Sequence, residues 1–193
     1  MASIIIHLAV GEVYCKNYTI KNKDEFMQGV ADPDLFTLNG KERKIITHYG
    51  DFIKERTTIK EVFEKKVNLK KYLKDNNLDN DYNKGYFLHL LTDYLFFTRF
   101  LYKPEFETKD LDNQILKILY VDYKKVNLDM LERYGAIDIY TEFGKNFVEG
   151  EPEIFTKKEL FNFIEKCGEL DIVEIAEKLK TSEYNQKDIK FKI

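Results

Sequence analysis

Apolar residues recur along most of the chain at spacings of three and four positions, the period of an amphipathic helix. Residues 110–134 follow this period, and Gly135 is suited to cap the C-terminal end of that helix. Residues 85–102 are apolar on nearly every side before Pro104 ends the run, which predicts a buried helix. The pattern therefore predicts an all-α fold, a single-domain multi-helix bundle around a central helix at about 85–102.

Shorter helices are predicted before the central one. Residues 4–14 are interpreted as a first helix, although repeated isoleucines also suit a short strand. Residues 22–30 predict a second helix that ends before Pro33, because the residue preceding a proline avoids helical geometry. The polar residues 35–43 are then expected to form a loop.

Two Thr-x-x-Glu sequences indicate further helix starts. Thr58 and Glu61 predict a helix that continues to about residue 73, and Thr156 and Glu159 predict another. A last short helix is expected over residues 171–180. The helical domain is thus predicted to span residues 1–180, followed by a polar, loosely held tail at residues 181–193.

Composition and charge narrow the functional classes. With 44% hydrophobic and 34% charged residues and a net charge of −3, the chain resembles a soluble globular protein with no general affinity for nucleic acid. No stretch is long and apolar enough for a membrane span, and no basic region precedes the first apolar run. A cytoplasmic location is therefore predicted. Cys15 and Cys167 match no metal-binding spacing and are expected to be reduced, with a disulfide left open.

Histidine occurs three times, each time beside residues that suit a metal site. His89 and Asp93 are four positions apart in the central helix, so they share one face and can share one metal ion. A carboxylate buried in such a helix is costly unless it is paired, hydrogen-bonded or bound to metal. Taken alone, however, this spacing more often belongs to a hydrogen-bonded core pair.

The other candidates are individually weaker. His48, in Ile45-Ile46-Thr47-His48-Tyr49, and His7, in the apolar first segment, are each more simply explained as core histidines bonded to backbone. Asp34 follows Pro33 in a sequence that usually only forms a turn. Their joint order along the chain is more informative than any one of them.

That order is a histidine near the N-terminus, Gly-x-x-x-Pro-Asp, a histidine followed by an aromatic residue, and a helical His-x-x-x-Asp. It resembles the zinc-dependent phospholipase C family, which includes bacterial phospholipases C and clostridial alpha-toxin and has the S1/P1 nucleases as relatives. The matching segments are residues 4–8, 29–34, 47–51 and 85–93. The resemblance therefore covers the N-terminal half, roughly residues 1–102.

The resemblance implies a zinc site with one or two ions, other divalent metals remaining open. Four side chains would ligate the first ion: Asp34, His48, His89 and Asp93. His7 would ligate a second ion, with Asp93 bridging the two. Asp51 would support the ligands from outside the coordination sphere, and Asp32 is the alternative to Asp34.

The chain also departs from that family. Family members hold a further zinc through two histidines and a glutamate that follow the His-x-x-x-Asp helix, whereas no histidine follows His89. That position is expected to be missing or rebuilt from acids such as Glu142 or Glu149. Secreted members also ligate metal through the amino group of a mature N-terminal tryptophan, which is not expected here, and a membrane phospholipid is not the expected substrate.

Three functional hypotheses follow. The first is a metal-dependent hydrolase of phosphate esters, of phosphodiesterase or phosphatase type, that acts on a small phosphate ester. Asp34 would then orient or deprotonate the attacking water. The alternative is a non-catalytic helical protein whose metal is structural, and a helical interaction module without metal is a third, weaker hypothesis.

Overall fold

The computed structural model of the protein describes residues 2–38, 43–51, 58–107, 111–135 and 147–192. These residues form helices and turns, with no β-strand among them, which confirms the predicted all-α bundle. The α-helices in chain order are α1 (Ile4–Asn17), α2 (Lys23–Leu38), α3 (Lys44–Thr47), α4 (Ile59–Lys65), α5 (Leu69–Asp75), α6 (Asp81–Leu95), α7 (Leu111–Tyr134), α8 (Lys157–Gly168) and α9 (Ile172–Lys180). A π-helix, Phe96–Leu101, continues α6.

The central helix is α6, as predicted. Asn80 caps it by accepting a hydrogen bond from the backbone N–H of Asn83 at 2.7 Å. From Gly85 to Leu95 every residue is buried, because α6 has protein on all sides. His89 and Asp93 therefore lie in the core, where an uncompensated polar group is costly.

Helices α2 and α6 cross with their backbones almost in contact. A Cβ atom on Gly29 would lie 2.0 Å from the carbonyl oxygen of Tyr82, and one on Gly85 would lie 2.0 Å from that of Phe26. Only glycine at both positions allows this approach. The crossing sets the distance between the end of α2, which carries Asp34, and the part of α6 that carries His89.

The predicted end of α2 before Pro33 is wrong, and so is the loop predicted to start at residue 35. Helix α2 continues through Pro33 to Leu38. Tertiary packing explains the difference, since residues 29–34, which include Pro33, are buried against the bundle. Because proline lacks a backbone N–H, it removes one helical hydrogen bond without preventing the helix from continuing.

The single helix predicted after Thr58 is in fact two. Thr58 accepts a hydrogen bond from the backbone N–H of Glu61 and starts α4, as predicted. Asn68 then caps α5 by accepting from the backbone N–H of Lys71 at 3.0 Å, which starts a new helix axis. The capping box at Thr156 and the cap at Gly135, with φ of 68°, both occur where the sequence places them.

Part of the C-terminal segment, which the sequence predicts as a polar tail, packs against the bundle. The side chain of Gln186 accepts from the backbone N–H of Leu69 at 2.9 Å and donates to the carbonyl of Val67 at 3.0 Å. Ile189 is 3% exposed. These contacts fasten the segment to the turn between α4 and α5.

Candidate metal centre

The fold brings together five side chains from four different parts of the chain. They lie on α1, on α2, directly after α3 and on α6: His7, Asp34, His48, His89 and Asp93. All five are buried, with Asp34 the most accessible at 6%. Donor atoms of His7, His89 and Asp93 lie within 4.8 Å of one another, and so do donor atoms of Asp34, His48 and His89. His89 belongs to both groups and is therefore the centre of the cluster.

Backbone contacts orient the imidazole of His89. Its Nδ1 lies 2.7 Å from the carbonyl oxygen of Val30, and a carbonyl oxygen can only accept a hydrogen bond. Nδ1 therefore carries the proton and donates it to Val30, which leaves a lone pair on Nε2 of the neutral ring. Val30 lies in the turn of α2 that precedes Pro33, so this turn holds the ring in place.

His48 is oriented in a similar way. Its Nδ1 lies 3.1 Å from the carbonyl oxygen of Lys44 and 2.7 Å from Oγ1 of Thr47. A proton on Nδ1 suits both oxygens, and Nε2 then bears a lone pair. The other tautomer would let Nε2 donate to His89, but it would place the Nδ1 lone pair against the carbonyl oxygen of Lys44.

The two imidazoles meet through their Nε2 atoms, which are 3.0 Å apart. Burial lowers the pKa of His48 to about 4 and lowers the pKa of His89 well below its usual value, so both rings are neutral near pH 7. With both protons on Nδ1, two lone pairs face each other across this distance. A cation between them would turn that repulsion into coordination.

Two carboxylate oxygens complete this arrangement. Nε2 of His48 lies 3.6 Å from Oδ1 of Asp34 and 3.4 Å from Oδ2 of Asp93, and Nε2 of His89 lies 4.0 Å from the latter oxygen. Neither oxygen has a hydrogen-bond donor among the described residues. Ligands around a tetrahedral zinc ion, with bonds of about 2.0–2.1 Å, are separated by about 3.4 Å. The spacing of these donors therefore suits a metal ion.

The other side of Asp93 faces His7. Oδ1 of Asp93 lies 3.3 Å from Nε2 of His7 and accepts a hydrogen bond from the backbone N–H of Ala2 at 2.8 Å. Burial raises the pKa of Asp93, but its pairing with His7 and its proximity to His48 outweigh burial and hold the pKa below its usual value. The His7 ring stacks on that of His89, with centroids 3.6 Å apart. Within the described part of the chain, neither His7 nitrogen has a hydrogen-bond partner, so a nitrogen of this ring is available as a metal ligand.

The remaining sequence candidates lie outside the cluster. Asp32 accepts a hydrogen bond from the hydroxyl of Tyr82 at 3.0 Å, so Asp34 is the residue of this pair that reaches the histidines. Asp51 is exposed, and its carboxylate accepts from Asn68 rather than supporting a ligand. Glu149 is exposed, and Glu142 lies outside the described residues.

A tyrosine cluster that no sequence pattern predicted holds the turn that carries His48. It consists of Tyr49, Tyr72 and Tyr86. Tyr49 adopts φ of 55°, a left-handed conformation that costs a tyrosine on the order of 1–3 kcal/mol and persists only where the surroundings enforce it. Its hydroxyl accepts from Asn76, and its ring packs edge-on against Tyr72 and Tyr86. The hydroxyl of Tyr86 donates to the carbonyl of Thr47 at 2.6 Å. These contacts fix the backbone on both sides of His48.

The fold and the cluster together define the class: an all-α protein with a buried His/Asp cluster that could hold a metal ion. Comparison with protein-family models, with curated proteins and with solved structures finds no match to this chain. The similarity to zinc-dependent phospholipases C therefore stays a prediction from the order of motifs. Among the described helices, none is long and apolar enough to cross a membrane.

The three aspartates of this region should respond differently to replacement by asparagine, which removes charge but keeps size. Asp93→Asn should cost the most metal affinity, because one carboxylate faces both donor groups, and Asp34→Asn should cost less. Asp32→Asn should leave the affinity unchanged, since this side chain is bonded to Tyr82. Metal titration of each purified variant against a competing chelator measures the order, and equal losses for Asp93 and Asp34 would argue for a single ion.

Proposed function

We propose that the protein is a metal-dependent hydrolase of phosphate esters that binds zinc at this His/Asp cluster. The observation that carries the metal site is the pair of Nε2 atoms 3.0 Å apart, beside carboxylate oxygens of Asp34 and Asp93 without hydrogen-bond donors among the described residues. Neutral imidazoles and ionised carboxylates are the ligands that zinc accepts in catalytic sites. The order of motifs shared with zinc-dependent phospholipases C supports the hydrolytic chemistry.

Donor atoms of the cluster fall into two overlapping groups that share His89. Asp34, His48, His89 and Asp93 would hold the first ion. His7 would hold a second ion together with Asp93, whose Oδ1 lies 3.3 Å from Nε2 of His7. Asp93 would thus serve both ions.

Bound metal would supply the Lewis acidity that polarises a phosphoryl oxygen and lowers the pKa of a water molecule. Asp34 is the residue we assign to that water, because it is the most accessible member of the cluster and its Oδ1 lacks a hydrogen-bond donor in the described structure. Its carboxylate would accept the proton of the water as the oxygen attacks phosphorus. The P–O bond to the ester alcohol then breaks, the leaving alkoxide takes a proton from solvent, and Asp34 returns its proton to solvent.

A structural metal is the second candidate function, and the burial of the donors favours it. Structural zinc sites are closed by protein ligands, whereas catalytic sites keep an open position for water. Four of the five donors are at most 1% exposed. A metal bound by them would tie α1, α2 and α6 to the turn after α3, and its binding energy would be folding energy.

Metal analysis combined with hydrolysis assays tests these functions. Protein purified without a histidine tag should contain one or two equivalents of zinc by elemental analysis. The zinc-loaded protein should hydrolyse bis(4-nitrophenyl) phosphate or 4-nitrophenyl phosphate, and chelation should remove that activity. Zinc without hydrolysis of either ester would reject the enzyme and leave the structural metal. Absence of metal after loading with zinc, manganese, cobalt and magnesium would reject both functions.

A further inference from the structure

A cleft with a volume of about 330 Å³ adjoins the elements that carry the metal cluster. It lies where α3, α4 and α7 meet, and α3 leads directly to His48. The described residues that line it include the following six: Lys44, Ile45, Val62, Lys66, Leu116 and Tyr120. A cleft of this size accommodates a small organic molecule rather than a lone ion.

The charged part of the lining favours an anion. Lys44, Lys65 and Lys66 contribute three positive charges, against the single carboxylate of Asp51 among the described lining residues. Lys44 can reach an anion in the cleft, because its side chain is 47% exposed. Lysine binds phosphate as a mobile point charge.

The apolar part of the lining favours more than a phosphate group. Tyr120 is 56% exposed and Ile45 is 37% exposed, which leaves two large apolar side chains in contact with solvent. Leu116 and Val62 are half-buried beside them in the same cleft. Apolar surface next to a cationic group suits a ligand with a phosphate at one end and an apolar or aromatic group at the other.

Lys44 connects the cleft to the metal cluster. Its Nζ lies 3.7 Å from Oδ1 of Asp34, so Lys44 pairs with that carboxylate. A divalent ion on Asp34 would repel the ammonium group and leave its charge available to an anion in the cleft. Metal binding and anion binding would therefore reinforce each other.

We propose that this cleft binds the substrate of the metal centre, and that the substrate is a small phosphate ester of an apolar or aromatic alcohol. Lys44 contacts the phosphate group, and Ile45, Leu116 and Tyr120 contact the alcohol portion. The proposal rests on the proposed hydrolase function, and it names Lys44 and Tyr120 as residues that determine affinity and specificity.

Calorimetric titration of the zinc-loaded protein, freed of excess zinc, tests the proposal with phenylphosphonate and inorganic phosphate as ligands. Phenylphosphonate has a P–C bond in place of the ester P–O bond, so the enzyme cannot hydrolyse it during the titration. The wild-type protein should bind phenylphosphonate about tenfold more tightly than inorganic phosphate, since the ring adds apolar contact. Lys44→Met should weaken both ligands about tenfold or more, and Lys44→Arg, which keeps the charge, should restore most of the affinity. Tyr120→Ser should remove the preference for phenylphosphonate while leaving inorganic phosphate unchanged.

The control is Lys158→Met, which removes an exposed lysine on α8 and should bind both ligands like the wild type. The zinc content of every variant is measured first, so that a loss of affinity is not a loss of metal. Equal affinity of the wild type for the two ligands, no binding of either, or unchanged binding by Lys44→Met would overturn the proposal. Binding that follows the expected pattern without hydrolysis would reject the hydrolase but keep the cleft. Hydrolysis that is unaffected by Lys44→Met and by Tyr120→Ser would reject the cleft as the substrate site but keep the hydrolase.

Discussion

Replacing His89 by alanine is expected to remove bound metal completely, because His89 belongs to both donor groups of the cluster. The wild-type protein should carry one or two equivalents of zinc, and the variant none after the same loading. The substitution also leaves a cavity in α6 and removes the donor that satisfies the carbonyl of Val30. Elemental analysis and chelator competition measure the loss of metal, and thermal unfolding measures the loss of stability.

A matched control separates the loss of a ligand from damage to the helix. Leu90 is adjacent to His89 on α6 and is fully buried. Leu90→Ala therefore creates a cavity that lowers the free energy of unfolding by about 2–5 kcal/mol, but it removes no metal ligand. Leu90→Ala should keep its zinc. If the two variants lose zinc to the same extent, the metal depends on helix packing rather than on the His89 ring, and the assignment of His89 is wrong.

The same measurements separate a structural metal from a catalytic one. Metal at 100 times its dissociation constant stabilises the folded state by about 2.7 kcal/mol. A catalytic ion contributes this much as well, so the persistence of the fold is the criterion. If the metal is structural, wild-type protein stripped by chelation should unfold. If it is catalytic on a preformed scaffold, hydrolysis should disappear while the chelated protein stays folded.

Replacing Gly85 by alanine is expected to destabilise the protein by about 3 kcal/mol or more, the upper part of the range for overpacked cores. The new Cβ would lie 2.0 Å from the carbonyl oxygen of Phe26, a backbone atom that cannot move aside without separating α2 from α6. Denaturant unfolding measures the loss. For a chain of this length it corresponds to a fall in melting temperature of roughly 6–12 °C.

Gly11→Ala is the control for this substitution. Gly11 also lies in a buried helix, but its Cβ would meet the flexible end of the Met27 side chain, which can rotate away. This variant should be close to the wild type in stability, since alanine also favours the helix. A Gly85→Ala variant as stable as Gly11→Ala would show that α2 and α6 are not as close as described. The folded fraction of Gly85→Ala should also bind metal more weakly, because the crossing sets the position of Asp34 relative to His89.

Much of the fold could be predicted because its signals are local. The apolar run at residues 85–102 and the Thr-x-x-Glu sequences that begin at Thr58 and Thr156 depend on neighbours within one or two turns, and each gives the expected core segment or helix start. The helix predicted to end before Pro33 continues, and the helix predicted from Thr58 to residue 73 is interrupted at Asn68, because tertiary packing decides whether a helix continues past such a residue.

The candidate site was predictable only as a set of residue types in order. Spacing along α6 places His89 and Asp93 on one face, but no local pattern states that His7 stacks on His89 or that Asp34 rather than Asp32 points inward. Nor does it indicate that the carbonyl groups of Val30 and Lys44 set the tautomers of the two imidazoles. These features follow from contacts between residues that are far apart in the sequence, and no local sequence pattern indicates such contacts.

The long sequence separations within the cluster have a consequence for the order of folding. Its contacts join residues that are 41, 59 and 91 positions apart, so the chain must close large loops before the side chains can meet. Contacts of such high sequence separation slow folding and form late. Metal uptake should therefore follow the slowest folding phase, and its release should coincide with global unfolding rather than precede it. A metal-sensitive dye in a stopped-flow experiment would then measure the rate of the last step of folding.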